Sequence, residues 1–221
     1  MAINKSLYQK RAAELKSGII FGIVASITLF IVVLAIIVSN ILFIRVMVDG
    51  PSMEPTLYGG EGIDEYDIVF ANVIREPSYG DIIIISGEKE NGDWLVKRAI
   101  AFGGDTVKIE GGYVYLKKAG ETDFPEDPLD EPYLAQQGIT VWNDQPAGGC
   151  LIEEGQIFYL GDNRTHSADS RWSGFGTCDR SQVVGVVSEF AVKIKKMNKF
   201  FEKLMIPIRR LFGLPVGKET L

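Results

Sequence analysis

Histidine is all but missing from this sequence, whose 221 residues contain one, His166. A multi-histidine metal centre is therefore excluded, and a Ser-His hydrolase would have to be built on that single ring. Cysteine is nearly as scarce. Cys150 and Cys178 are the only two, too few for a disulfide-rich scaffold, and no spacing resembles a zinc site. If the body of the protein lies outside the cytoplasm the two can pair, and a disulfide between them is one expectation; two free thiols are the other. Charge is missing from 28 consecutive residues, Ser17 to Ile44. No internal repeat or low-complexity tract is visible, which argues against a solenoid. No metal and no cofactor are expected.

The uncharged run is the first feature that is present rather than absent. About 20 apolar residues cross a bilayer as a helix, so the run is long enough to span with some tilt. It exceeds the apolar core of a cleaved signal peptide, and no small-x-small site closes it. Lys5, Lys10, Arg11 and Lys16 precede it, and Arg45 alone follows closely. The positive-inside rule then puts residues 1–16 in the cytoplasm, makes 17–44 a single-pass anchor in the cell (inner) membrane, and places the body outside the cytoplasm.

Charge is partitioned along the chain. Residues 1–45 carry +4, residues 193–221 carry +6, and the stretch between them carries −16, within a net charge of −6. Basic ends around an acidic body fit a membrane surface better than nucleic acid. In the tail, Met197, Phe200, Phe201, Leu204, Met205 and Ile208 follow helical spacing with lysines between them. Residues 195–221 therefore read as a basic amphipathic helix lying on a membrane or packed on the body, with Pro207 as a kink.

After Arg45 the periodicity changes to short strands: Arg45–Val48, Tyr66–Ala71, Ile82–Ile85, Trp94–Phe102, Thr106–Ile109, Tyr113–Leu116, Gln156–Leu160 and Gln182–Ile194. Gly111-Gly112 marks a hairpin turn. Residues 119–155, rich in Pro, Gly and acid, read as an inserted lobe or long loop. The fold class is mainly β: an antiparallel sheet body over 45–194 behind one transmembrane helix.

Three stretches carry chemistry. The first is Asp49-Gly50-Pro51-Ser52-Met53-Glu54-Pro55-Thr56-Leu57, a serine in a Pro-rich turn. The second is Leu95-Val96-Lys97-Arg98, and the third is Gly161-Asp162-Asn163-Arg164-Thr165-His166-Ser167-Ala168-Asp169-Ser170-Arg171. A serine hydroxyl is a weak nucleophile until a base takes its proton. Lysine can be that base where burial or a neighbouring cation favours its neutral amine. Lys97 lies in an apolar strand beside Arg98. Taken singly, Ser52 would be an ordinary turn serine and Lys97 a surface lysine on an edge strand; it is their combination that points to a nucleophile and its base.

Together these stretches resemble the conserved boxes of bacterial type I signal peptidases. Pro51–Leu57 resembles the nucleophile box, Tyr79-Gly80-Asp81-Ile82-Ile83 the next strand box, and Val96-Lys97-Arg98-Ala99-Ile100 with Gly104-Asp105-Thr106-Val107 the general-base box. Gly161–Arg164, Ser167–Arg171 and Gly174 resemble the last box. The resemblance implies that Ser52 attacks the scissile carbonyl, that Lys97 is general base, and that Ser167 hydrogen-bonds and orients the lysine. It implies that Asp169 and Arg171 brace the site, with Asp162 and Arg164 as further members of the brace. Some members place a serine two residues before the nucleophile to complete the oxyanion hole; here that position is Gly50, so the Ser52 backbone N–H needs another partner.

The resemblance also implies the substrate: preproteins bearing signal peptides, cut after small-x-small (Ala-x-Ala-like) sites near the export machinery. Val46, Val48, Met53, Leu57 and Val96 are the expected lining of shallow apolar pockets, with core packing as the other use for such residues. Ser52 is seven residues past Arg45, at most ~25 Å of extended chain, so the site is expected near the bilayer. Two other functions compete: a non-catalytic, membrane-anchored β domain that binds exported chains, and a Ser/Lys peptidase that cleaves itself or one dedicated partner.

Overall fold

The computed structural model describes residues 2–60, 66–87 and 94–187. The chain divides into a helical unit, residues 1–42, and a β unit from Phe43 onward. The helix α1 runs from Ala2 to Leu42, about 60 Å at 1.5 Å per residue. Its segment Leu15–Val38 is strongly apolar, with Lys16 its one charged residue, and none of it is buried within the protein. Twenty-four helical residues reach about 36 Å, more than the hydrocarbon core requires. The helix ends at Leu42, and the last uncharged residues, Phe43 and Ile44, already belong to the first strand.

Among the described residues ten strands follow: β1 (Phe43–Met47), β2 (Ile68–Asn72), β3 (Ile82–Ser86), β4 (Trp94–Phe102), β5 (Thr106–Glu110), β6 (Tyr113–Lys117), β7 (Cys150–Leu151), β8 (Gln156–Leu160), β9 (Cys178–Asp179) and β10 (Val183–Val187). Seven form one antiparallel sheet in the order β1-β2-β10-β3-β4-β8-β9, and β6-β5-β7 form a second. The eight longer strands correspond to the eight apolar runs of the sequence. The two-residue strands β7 and β9 are too short for any alternation to reveal. The expected final strand is seen as Val183–Val187; its remainder, 188–194, and the amphipathic tail, 195–221, lie outside the described residues.

The middle of the large sheet is buried on both faces, as an unbroken apolar strand requires. In β3, Ile82 and Ile84 join a core with Val46, Val69 and Val187, while Ile83 and Ile85 join an opposite core with Ala99, Ile157 and Val186. In β8, Ile157 and Tyr159 face that second core, and Phe158 and Leu160 pack with Val107, Val114 and Leu116 of the small sheet. At the outer pair β1–β2 one face is core and the other open: Val46 and Val69 are buried, whereas Met47, Ile68 and Phe70 are exposed.

The 119–155 segment is mostly turns, with β7 near its end. Two of its polar residues are deeply buried, Glu131 and Thr140. Cys150 and Cys178 are not bonded to each other. The expected disulfide is absent because the two lie in different sheets, Cys150 opposite Val107 and Cys178 opposite Ile157. Burial pushes the Cys178 thiol up to about 12 and that of Cys150 up as well, so both are kept as neutral thiols.

Candidate active site

The turn carrying Ser52 is held by its own backbone: Glu54 N donates to Pro51 O at 3.1 Å, and Leu57 N to Met53 O at 2.9 Å. The Glu54–Pro55 peptide is cis. Met53 and Leu57 point down from this turn and are fully buried, at 0% exposure. They pack with Val46, Val48 and Val96 in a single core. The five residues expected to line substrate pockets are thus the packed floor beneath the serine. Strand alternation explains this: Val46 faces the core while its neighbours Arg45 and Met47 face out.

Lys97 enters from β4, opposite Ile83 in the register. It is 4% exposed. Its Nζ lies 2.8 Å from Ser52 Oγ and 3.2 Å from Val96 O. As an ammonium it donates to Oγ; with the amine neutral, the same contact lets the Ser52 O–H donate to Nζ. Arg98, next along the strand, is also buried. The two adjacent basic side chains go to different partners. Arg98 donates from Nε to Asp162 Oδ1 at 2.7 Å and from Nη2 to Oδ2, and from Nη1 to Gly80 O at 2.6 Å. The ring of Tyr133 covers its guanidinium at 3.7 Å, a stacking contact open to arginine's planar group.

Asp162 also accepts a short hydrogen bond from Thr56 Oγ1, so one carboxylate joins β4 to the serine turn. The next residue continues the join. Asn163 N donates to Ser52 O at 3.0 Å, and its side-chain amide to Pro51 O at 3.2 Å.

Asp169 and Arg171 form a bidentate pair, with Arg171 Nε to Oδ1 at 2.8 Å and Nη2 to Oδ2 at 2.9 Å. The pair is local in sequence but buried, with side-chain exposures of 0% and 5%. Asp169 also accepts from Gly161 N at 3.0 Å. Arg164, the other arginine of this loop, is buried as well. It turns away to Glu131, donating from Nη1 to Oε2 at 3.0 Å and from Nη2 to Oε1, and it also reaches Thr140 Oγ1 at 2.8 Å and Gly161 O at 3.1 Å. Burial alone works against the charged guanidinium, but the Glu131 carboxylate outweighs it and raises Arg164 above its ordinary value.

Gly161 is where the loop and the turn touch. A Cβ there would fall 2.2 Å from Ser167 Oγ and 2.5 Å from Ser52 O, so only glycine allows this approach. Ser167 is buried, and among the described residues its Oγ has no hydrogen-bond partner. The expected hydrogen bond from Ser167 to the lysine is therefore not made in this geometry, although Gly161 brings Ser167 against the Ser52 turn. Gly50 has φ +76°, a conformation in which any other residue, serine included, is strained.

Tyr79 and Asp105, from the other boxes, brace β4 at a distance. Asp105 is buried and accepts from Phe102 N, Ala119 N and the Tyr79 hydroxyl at 2.8, 2.9 and 2.9 Å. Burial, reinforced by Asp105, pushes the Tyr79 phenol up to about 12.

Sequence reasoning brought out Ser52, Lys97, Asp162, Ser167, Asp169 and Arg171, and the structure gathers them around one serine turn. It missed Glu131, Tyr133, Thr140 and Thr56. Three of these lie in the irregular 119–155 stretch, where no periodicity marks a buried residue. The run Glu131-Pro132-Tyr133-Leu134, a polar and an aromatic residue around a proline, was the one available signal.

The model of the family described as "Signal peptidase, peptidase S26" matches residues 22–191. A Signal peptidase I of Bacillus licheniformis is 35% identical over 161 residues, 70% of this chain and 79% of that protein. Signal peptidase I S of Bacillus subtilis is 32% identical over 179 residues, 76% and 87% of the two chains. A crystal structure of a signal peptidase I from Enterococcus faecalis aligns with a TM-score of 0.41 at 30% identity, covering 52% of this chain and 98% of that one.

Proposed function

The chain belongs to the signal peptidase family, peptidase S26, and we propose that within it Ser52 is the nucleophile and Lys97 the general base of signal-peptide cleavage. The observation that carries this reading is the 2.8 Å contact between Ser52 Oγ and a lysine Nζ that is almost wholly buried. Removal from water disfavours the ammonium, and a base must be neutral to act.

Ser52 Oγ attacks the scissile carbonyl while its proton passes to Lys97 Nζ. The tetrahedral intermediate collapses, the C–N bond breaks, and the ammonium of Lys97 returns a proton to the leaving amine. A water then attacks the Ser52 ester, giving its proton to the neutral amine; the second tetrahedral intermediate collapses, the Oγ–C bond breaks, the Lys97 ammonium returns the proton to Ser52 Oγ, and the signal peptide leaves with a free C-terminal carboxyl group. The ion pairs Arg98–Asp162 and Asp169–Arg171 hold strand, turn and loop in register for these steps, which is the preorganisation that catalysis demands.

The fully packed floor under Ser52 supports shallow subsites and cleavage after small-x-small sequences. The apolar helix Leu15–Val38, with basic residues mostly before it, supports a single-pass anchor with a cytoplasmic N-terminus and the β unit across the membrane, near the bilayer and the export machinery. The test is to incubate the full chain in detergent with a preprotein bearing an Ala-x-Ala site and read the product's N-terminus by mass spectrometry. A single new N-terminus immediately after the second alanine is expected. An intact preprotein would favour a binding domain without catalysis.

A further inference from the structure

We infer that Glu131 is a positioning residue for the Ser52–Lys97 pair, a role that rests on the reading of that pair as nucleophile and base. Glu131 lies in the irregular stretch between the small sheet and the last box, 3% exposed. Through Arg164 and Tyr133 it holds both arms of the frame around Ser52 and Lys97.

On the loop side, Glu131 is the counter-ion of Arg164, whose side chain is fully buried. Arg164 in turn grips Gly161 O at 3.1 Å, and Asp169 grips Gly161 N at 3.0 Å. That peptide is the one wedged against Ser167 and the carbonyl of Ser52. On the strand side, Tyr133 donates its hydroxyl to Glu131 Oε1 at 2.7 Å. The bond sets the ring over Arg98, and Arg98 is the neighbour of Lys97 and the partner of Asp162. One carboxylate therefore fixes the position of Ser52's carbonyl through the loop and of the lysine strand through the ring. Its own backbone is pinned, since Gln137 Nε2 donates to Glu131 O at 2.7 Å and Leu134 N donates to it at 3.1 Å.

A buried carboxylate that served only to neutralise Arg164 would affect folding alone. One that sets the register of two reacting atoms affects the chemical step, because a displacement of about 1 Å can cost as much as about a hundredfold in rate. The same wild-type protein, Glu131→Gln, Glu131→Asp, Tyr133→Phe and Ser52→Ala are compared as full chains in detergent, with kcat and KM on an Ala-x-Ala preprotein taken per folded molecule. Glu131→Gln is expected to lower kcat by about tenfold or more with KM changed by less than about twofold. Glu131→Asp should recover part of that loss, and Tyr133→Phe, which keeps the ring and loses the hydroxyl, should show a smaller fall in kcat. If Glu131→Gln does not fold, Tyr133→Phe and Glu131→Asp decide by the same kcat criterion. Unchanged kcat per folded molecule in the variants that fold, or a rise in KM alone, overturns the role of Glu131; with Ser52→Ala inactive, the reading of the dyad then still stands. An active Ser52→Ala overturns both.

Discussion

Arg98 and Asp162 are 64 residues apart and meet as a two-pronged ion pair, Nε to Oδ1 at 2.7 Å, with the Asp162 side chain wholly out of water. Because Asp162 also accepts from Thr56, the pair ties the lysine strand to the serine turn. Removing one partner strands a buried charge. Asp162→Ala is therefore expected to cost about 3–5 kcal/mol of stability, read as a lowered denaturation midpoint in detergent, together with activity. Arg98→Met with Asp162→Leu, which removes both charges, should regain stability but not activity. Equal stability of Asp162→Ala and wild type would contradict the packing described.

Gly161 makes a second prediction. An alanine there would overlap Ser167 and Ser52 O, so Gly161→Ala should lose about 1–3 kcal/mol by overpacking and turn over preprotein much more slowly. A variant with wild-type kcat would show that the loop and the turn need not approach so closely.

Ser167 separates stability from function. Its hydroxyl is buried and unpartnered among the described residues, so Ser167→Ala removes a polar group that pays for itself nowhere in the resting fold. Its stability should stay within about 0.5 kcal/mol of wild type. If the hydroxyl orients Lys97 during turnover, kcat falls by roughly tenfold or more. A destabilised but fully active variant would reverse both expectations.

The two thiols can be counted. Cys178, pushed up to about 12, has a thiolate fraction at pH 8 on the order of one in ten thousand. Alkylation of the native protein at pH 8 should be slow at Cys178, and labelling after denaturation should find two thiols with or without a reductant. A reductant-dependent increase would show that the cysteines pair after all.

Much of the fold was legible because its long strands are bounded by Gly, Pro and Asp and are apolar where both faces are covered, as Ile82–Ile85 shows. The helix was legible from 28 uncharged residues, though its end was not. Phe43 and Ile44 are apolar enough for either element, and pairing with Asn72 and Ala71 decides for the strand. At the site, Ser52 and Lys97 stood out through motifs, and their 2.8 Å contact follows from a register that no local pattern encodes. Arg164 shows the limit most clearly. Its motif placed it in the brace without naming a partner, and the partner is Glu131, 33 residues away in a stretch without periodicity. Val46, Val48, Met53, Leu57 and Val96 were ambiguous for a physical reason, since apolar residues serve a core and a pocket equally well; all five are buried in one core, and the same side chains can floor a shallow pocket.

The central claim is that Lys97 takes the proton of Ser52. The most direct measurement is single-turnover cleavage of an Ala-x-Ala preprotein by purified, full-length Ser52→Ala and Lys97→Ala in detergent, with melting temperatures taken alongside. Both variants should melt as cooperative folded proteins and lose activity by a factor on the order of ten thousand or more. Substantial cleavage by either folded variant would contradict the assignment.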